Sequence, residues 1–224
     1  MTNNREIAYQ PRSGTLKRPT ALALSPTGEE PSAPHDYIPG TILPLTAENE
    51  RAPFSALEPV FTLSGGGLSL SQLSEMTGLK PTTIQNWVKR GWVANPVAKK
   101  YGKRQVARVL LINLMRPAMQ MEHIAHLLSG INGSVEDESD DAVEEAVLFD
   151  LLCCAVILME RRPALSPACC EEIAAEVMAR DGAVVPDQVK KQVSDVLVLM
   201  LYNMAAAQFM HRAALLYAEI GGRI

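Results

Sequence analysis

A short polar stretch carries side chains that can hydrogen-bond to nucleic acid. The candidates are Thr82, Thr83, Gln85, Asn86 and Lys89. Asn and Gln amides can each form two hydrogen bonds with the major-groove edge of adenine. Hydroxyl and ammonium groups can bind phosphate oxygens, which fixes a protein on the duplex without reading its sequence. This chemistry requires that the side chains project from one face of a rigid element.

Two short helices joined by a Thr-Gly-Leu turn are predicted to provide that element. The first covers about 70–76, with Ser69 as its N-cap, and Thr77-Gly78 ends it. The second opens at Pro81, a tolerated early position, and Gly91 ends it. Its inner face consists of Ile84, Trp87 and Val88. This spacing is the sequence form of a helix-turn-helix.

The charge distribution points to an anionic partner for the same region. The whole chain of 224 residues has a formal net charge of −4, which by itself argues against nucleic acid. Residues 76–121, however, contain nine basic and no acidic residues, whereas residues 1–75 carry −3 and residues 122–224 carry −10. Such asymmetry favours phosphate contacts by the basic segment, with the acidic part facing away from the duplex. The further candidates for phosphate contact are Arg90, Lys99, Lys100, Lys103 and Arg104.

A loop or small wing is predicted at residues 92–101, and further helices are predicted after it. They cover about 102–115, 120–129, 141–161, 167–180 and 186–219, with a turn at 130–133 and a solvated acidic linker at 136–141. The last helix has an apolar seam that alternates spacings of three and four residues. The seam contains Val189, Val193, Val196, Met200, Asn203, Ala207, Met210 and Ala214. The middle of this helix is apolar nearly all round, so we expect protein to surround it.

Residues 68–133 resemble the winged helix-turn-helix of the MerR superfamily. The resemblance rests on LSLSQLSEMTGLKPTTIQNWVKRGWV, KKYGKRQVARVLLINLMR and MQMEHIAHLL. It is stronger to a group of uncharacterised MerR-like bacterial proteins catalogued as a domain of unknown function. By position, the resemblance implies DNA contacts for Thr82, Gln85 and Asn86, and wing contacts for Lys99 and Tyr101. The chain departs from the superfamily at Gln85-Asn86-Trp87, where Arg-Tyr-Tyr is usual, which leaves the contact mode open.

Other chemistry has weaker support in the sequence. The pairs Cys153-Cys154 and Cys169-Cys170 lie in apolar helices and are predicted to be buried thiols rather than a metal or redox sensor. No second ligand cluster accompanies His123 and His126, so no metal and no cofactor are predicted. No nucleophile elbow, Walker loop or Rossmann glycine pattern is present, and we predict that the protein is not an enzyme. Asp150 in an apolar helix is the one unusual carboxylate.

The aromatic residues of the basic segment allow two interpretations. Trp87 lies at helical spacing beside Ile84 and Val88, so we predict that it is part of the core. For Trp92 both interpretations stay open, namely packing in the core and stacking on a nucleotide. The N-terminal residues contain no apolar stretch typical of a signal peptide, which predicts a cytoplasmic protein.

The fold prediction is an all-α protein in three parts. Residues 1–60, which hold nine of the fifteen prolines, are an extended or disordered tail. Residues 61–133 form the MerR-like winged helix-turn-helix, and residues 134–224 form a helical body for dimerisation or effector binding. We expect a transcriptional regulator that binds double-stranded DNA as a homodimer through residues 186–219. The alternatives are an interaction adaptor that uses the basic face and C-terminal helices without reading DNA, and a body that binds a small apolar effector.

Overall fold

The computed structural model describes residues 37–135 and 142–221, and within these ranges the chain is mainly helical, as predicted. The strands are β1 (Leu68–Ser69) and β2 (Lys100–Tyr101), which pair antiparallel. The helices are α1 (Glu58–Leu63), α2 (Leu70–Thr77), α3 (Pro81–Lys89), α4 (Lys103–Met115), α5 (Met121–Asn132), α6 (Glu145–Glu160), α7 (Pro167–Asp181) and α8 (Lys190–Gly221). Short 3₁₀ helices cover Pro53–Leu57 and Gly182–Val184. The acidic run at 136–141 lies outside the described residues.

Helix α4 is the centre of the fold. Every residue from Val106 to Met115 is buried, including Arg108 and Asn113. α4 packs most extensively against α6, and one continuous apolar core joins α2 and α3 to the C-terminal helices. The boundary that we predict between residues 133 and 134 therefore does not separate two independently packed units. An amphipathic pattern locates the inner face of a helix, but it does not show that a second layer covers the outer face.

Residues 37–57 pack on the body, in contrast to the extended tail predicted for residues 1–60. Ile38 is fully buried, and Tyr37 forms a β-bridge with Pro44. The Phe54 ring meets the Phe149 ring edge-on, with 5.9 Å between their centroids. Proline prevents long regular elements here, but isolated apolar side chains still gain free energy by docking. Residues 1–36 of the predicted tail lie outside the described residues.

Helix α5 is longer than its sequence pattern indicates. The predicted turn begins at Gly130, but the helix continues to Asn132 and ends before Gly133, where φ is +58°. Ile131 and Asn132 are buried, and the Asn132 side-chain amide donates a hydrogen bond to the carbonyl of Val143. These tertiary interactions outweigh the low helix propensity of a single glycine, which costs about 1 kcal/mol.

The unusual carboxylate of Asp150 attaches the N-terminal segment to helix α6. Its Oδ1 accepts a hydrogen bond of 2.7 Å from the backbone N–H of Phe54, in the first turn of the 3₁₀ helix. Burial raises the pKa of Asp150 to about 6, and the Phe54 hydrogen bond opposes this rise. The hydrogen bond from Phe54 therefore fixes the N-terminal segment on α6. Ionisation of the partly buried carboxylate, however, lowers the stability of the folded protein.

We expect Asp150→Asn to stabilise the protein at neutral pH. The unfolded Asp150 ionises near pH 4 and the folded one near pH 6, so wild-type stability falls as the pH rises through this window. Asparagine keeps the acceptor oxygen and removes the charge, which predicts a gain on the order of 1–3 kcal/mol above pH 6. Urea unfolding at pH 4 and pH 7 measures it. A gain of equal size at both pH values would contradict the role of ionisation.

The cysteine pairs lie in the helical core. Cys153, Cys154 and Cys170 are buried, as the sequence predicts, and Cys169 is half-buried. Burial raises the pKa of Cys154 to about 11 and raises that of Cys153 well above its ordinary value. Since the thiolate is the reactive form, these two residues are protected from thiol chemistry in the folded state.

Helix α8 has two parts with different surroundings. From Val193 to Ala205 one face of the helix is buried against the body, mainly against α6 and α7. From Ala206 onward most residues are exposed, although many are apolar. Length and composition alone would allow Lys190–Gly221 to cross a membrane, a weak indication since part of this helix packs inside the protein. The predicted seam is buried within the chain at Val193, Val196 and Met200, so these positions are not available to a second copy.

Candidate nucleic-acid interface

Local sequence signals fix the two helices that carry the predicted interface. Ser69 caps α2 in a reciprocal capping box with Gln72. Gly78 ends α2 with φ of +68°, a left-handed conformation that glycine adopts without strain. Pro81 then occupies the first turn of α3. The bounds of α2 and α3 match the sequence prediction to within about a residue at each end.

Helix α3 separates an anchoring face from a polar exposed face. Ile84 and Trp87 are buried, which confirms that Trp87 belongs to the core. The opposite face exposes Thr82, Gln85, Asn86 and Lys89. These four side chains follow i, i+3, i+4 and i+7 spacing and therefore lie on one stripe of the helix. Arg90 is also exposed, and Thr83 is half-buried.

A tight hairpin presents the basic loop. Val97 and Lys100 exchange both backbone hydrogen bonds, at 3.0 and 2.9 Å, around Ala98 and Lys99. Ala98 and Lys99 have φ values of +48° and +62°, which are unfavourable for residues other than glycine, asparagine and aspartate. The hairpin holds the exposed Lys99 at its tip, and β2 then continues from Lys100 to pair with β1.

Four of the predicted contact residues are buried or have side-chain partners within the protein. Tyr101 is buried, and its burial raises the pKa of the phenol. The Lys100 ammonium donates a hydrogen bond to the carbonyl of Ser64 although Lys100 remains exposed. Lys103 forms an exposed ion pair of 2.6 Å with Glu58. Arg104 donates to the carbonyls of Ser134 and Val135, at 3.0 Å each, and to Glu145.

We therefore remove Tyr101 and Arg104 from the candidate interface. The Tyr101 ring is buried because β2 places it in the core, and the Arg104 guanidinium is bound to other parts of the chain from the start of α4. The residues that remain exposed are Thr82, Gln85, Asn86, Lys89, Arg90, Lys99, Lys100 and Lys103. The sequence pattern identified these residue types but could not separate surface arginines from buried ones.

A buried ion pair behind the interface was not apparent from the sequence. Glu145 at the start of α6 contacts Arg108 of α4 at 3.1 Å and Arg104 at 3.0 Å. Glu145 and Arg108 are 1% and 2% exposed, and the Arg108 Nε donates a 2.8 Å hydrogen bond to the carbonyl of Trp92. The network thus joins the loop after α3 to helix α6. The available signal was Arg108 itself, a lone charge surrounded by apolar residues in α4.

An open groove of about 470 Å³ borders α3. Trp87, Arg90, Trp92 and Met121 line it together with Thr83, Asn86, Gln120 and Glu122. The Arg90 guanidinium lies 5.1 Å from the centroid of the half-buried Trp92 ring, within cation–π range. This contact holds Arg90 beside Asn86. In the described ranges, no group of three or more His, Cys, Asp or Glu residues could hold a metal ion.

The candidate interface lies within one segment that matches known proteins. Residues 57–149 match the family described as Domain of unknown function (DUF1836). Over 95 residues the chain is 33% identical to "Uncharacterized protein YkrK" of Bacillus subtilis (strain 168), an alignment that covers 41% of this chain and 40% of that protein. No solved structure matches the chain. The matched segment contains α2, α3, the hairpin and the Arg108–Glu145 pair, and both matches show similarity to uncharacterised bacterial proteins.

Proposed function

We propose that this protein is a DNA-binding transcriptional regulator whose α2–α3 pair acts as a MerR-like helix-turn-helix. The observation that carries the proposal is the exposed stripe of α3, where Gln85 and Asn86 can pair with base edges and Lys89 can bind phosphate. The hairpin adds Lys99 as a wing contact. No carboxylate occurs between residues 76 and 121 to repel the duplex.

The distribution of charge supports one orientation of the protein on DNA. The segment 122–224 has a net charge of −10, and α6, α7 and α8 belong to it. In the proposed complex the α3 stripe faces the duplex and these acidic helices face away. Glu122 is the exception, since it lines the groove beside α3. A carboxylate there disfavours a phosphate at that end of the groove.

Binding of random-sequence duplex DNA at different salt concentrations tests the proposal. Because phosphate contacts release counterions, we expect affinity to fall steeply between about 50 and 200 mM salt. No binding at the lower concentration would contradict the regulator and favour the interaction adaptor, for which the aromatic groove beside α3 offers an open surface. Dimerisation, a small-molecule effector and cytoplasmic location remain parts of the same proposal.

Lys99→Ala should weaken binding to all DNA sequences alike. Lys99 is exposed at the hairpin tip, so its removal should cost one phosphate contact and reduce the slope of log affinity against log salt by about 1. Fluorescence anisotropy over a salt series measures both quantities. Lys191→Ala is the matched control, since Lys191 is 88% exposed on α8 and pairs with Asp195. Equal effects of the two substitutions would contradict a wing contact.

A further inference from the structure

The open groove beside α3 contains two charged side chains of opposite sign. Arg90 follows the last turn of α3, Glu122 lies in the first turn of α5, and both line the groove. Both are exposed, and neither forms an ion pair within the part of the chain that the structure describes. The groove therefore offers a charged hydrogen-bond donor and a charged acceptor to a molecule that enters from outside.

Trp92 holds the donor in place. The Arg90 guanidinium lies over the Trp92 ring, and the Trp92 carbonyl is itself fixed by a 2.8 Å hydrogen bond from the buried Arg108. The N–H groups of a guanidinium lie in its plane, so contact with the face of a ring leaves its edges free to donate. A side chain that is already held loses less conformational entropy when it binds. Arg90 is thus prepared for a partner that presents two adjacent acceptors.

Glu122 decides which group of a DNA duplex fits the groove. A phosphate would suit Arg90 alone, but its negative charge is repelled by the carboxylate of Glu122. The edge of a base pair can satisfy both side chains, because it is uncharged and carries acceptors as well as donors. In the major groove guanine alone presents two adjacent acceptors, N7 and O6, and the cytosine that pairs with it presents the N4 amino donor.

We propose that Arg90 and Glu122 together select one G·C base pair. Arg90 donates to N7 and O6 of the guanine, and Glu122 accepts from N4 of the cytosine. This inference rests on the DNA-binding function proposed above and adds a specificity site outside the α3 stripe. Arg90 lies four residues beyond Asn86, which is about 6 Å along the helix or about two base-pair steps. The selected pair therefore lies within about two base pairs of the adenine that Asn86 contacts.

Binding to duplexes that differ at one base pair tests this site in the full chain. Selection from a random duplex library with the wild-type protein first gives the preferred sequence. Fluorescence anisotropy should then show that Arg90→Ala and Glu122→Ala lose their preference at the same G·C pair, by about 5- to 150-fold for the bidentate Arg90 contact. Glu172→Ala is the matched control for Glu122, since it removes the same charge from an exposed position on α7. It should change no base preference.

Modified bases test the same contacts without altering the protein. Replacement of the guanine by 7-deazaguanine removes its N7 acceptor, and N4-methylation of the cytosine replaces the amino hydrogen that faces the major groove. Each change keeps the base pair and should weaken wild-type binding about 10-fold, because it removes a hydrogen bond to a charged group. The first change should not affect Arg90→Ala, and the second should not affect Glu122→Ala.

Three results would overturn the inference. The first is a Glu122→Ala variant that binds all sequences more tightly and keeps the wild-type base preference, which would show that Arg90 meets a phosphate. The second is a loss of preference at different base pairs in the two variants. The third is DNA binding with unchanged preference in both variants, which leaves the proposed function intact. A wild-type protein that binds no DNA would instead contradict the proposed function itself, and this site with it.

Discussion

Glu145→Ala should destabilise the protein by about 3–5 kcal/mol, the largest effect that we expect from a single substitution. The change leaves the Arg108 guanidinium, which is 2% exposed, without the carboxylate that compensates its charge. Breaking a buried pair from one side is costly because the remaining charge stays out of water. Urea unfolding monitored by circular dichroism measures the loss.

Glu144→Ala is the control for this prediction. Glu144 is the exposed neighbour of Glu145 and its side chain makes no capping hydrogen bond to α6, so we expect a change within about 0.5 kcal/mol. A combined Arg108→Met and Glu145→Leu variant should recover much of the lost stability, since apolar residues of similar volume can replace a buried pair. Equal stability of the Glu145→Ala and Glu144→Ala variants would show that the pair contributes nothing.

Asn86→Ala should remove sequence preference with little effect on binding to random DNA. Asn86 is exposed in the middle of the α3 stripe, and a bidentate contact to adenine contributes about 1–3 kcal/mol of discrimination. The preferred sequence is obtained first by selection from a random duplex library with the wild-type protein. The affinity ratio of selected to random DNA should then fall by about 5- to 150-fold in the variant.

The salt dependence distinguishes a contact with bases from a contact with phosphates. Asn86 carries no charge, so the variant should keep the wild-type salt slope, whereas Lys99→Ala should reduce that slope and keep the affinity ratio. Ser71→Ala, on the exposed surface of α2, is the control for a polar substitution outside the stripe. If Asn86→Ala and Lys99→Ala change the same quantity, the proposed division of roles between α3 and the hairpin is wrong.

Elements decided by neighbouring residues could be predicted from the sequence. Ser69, Gly78 and Pro81 mark the ends of α2 and α3, and each acts within a few residues through caps and backbone preferences. The polar stripe of α3 followed from the helix period alone. The turn predicted at Gly130 was wrong because the effect of a glycine is local and weak. The buried side chains of Ile131 and Asn132 extend α5 through contacts with residues near Val143.

Features decided by distant residues could not be predicted in this way. Arg104 and Arg108 look like surface charges in a basic segment, and their contacts with Glu145, 37 residues beyond Arg108, depend on how the chain folds. The apolar residues of α8 pose the same difficulty, because composition does not show which face the body covers. Val196 and Phe209 are both apolar, but the first is buried and the second is 60% exposed.

The burial of α4 from Val106 to Met115 limits how this protein can be divided or recombined. Helices α2 and α5 and strand β2 contact α4, and so do α6 and α8. A fragment that ends before α6 would expose a long apolar surface together with the charged group of Arg108. The α2–α3 pair alone could therefore not be grafted onto another chain. A gene fusion or domain exchange that keeps α3 functional must carry α6 and its glutamate as well.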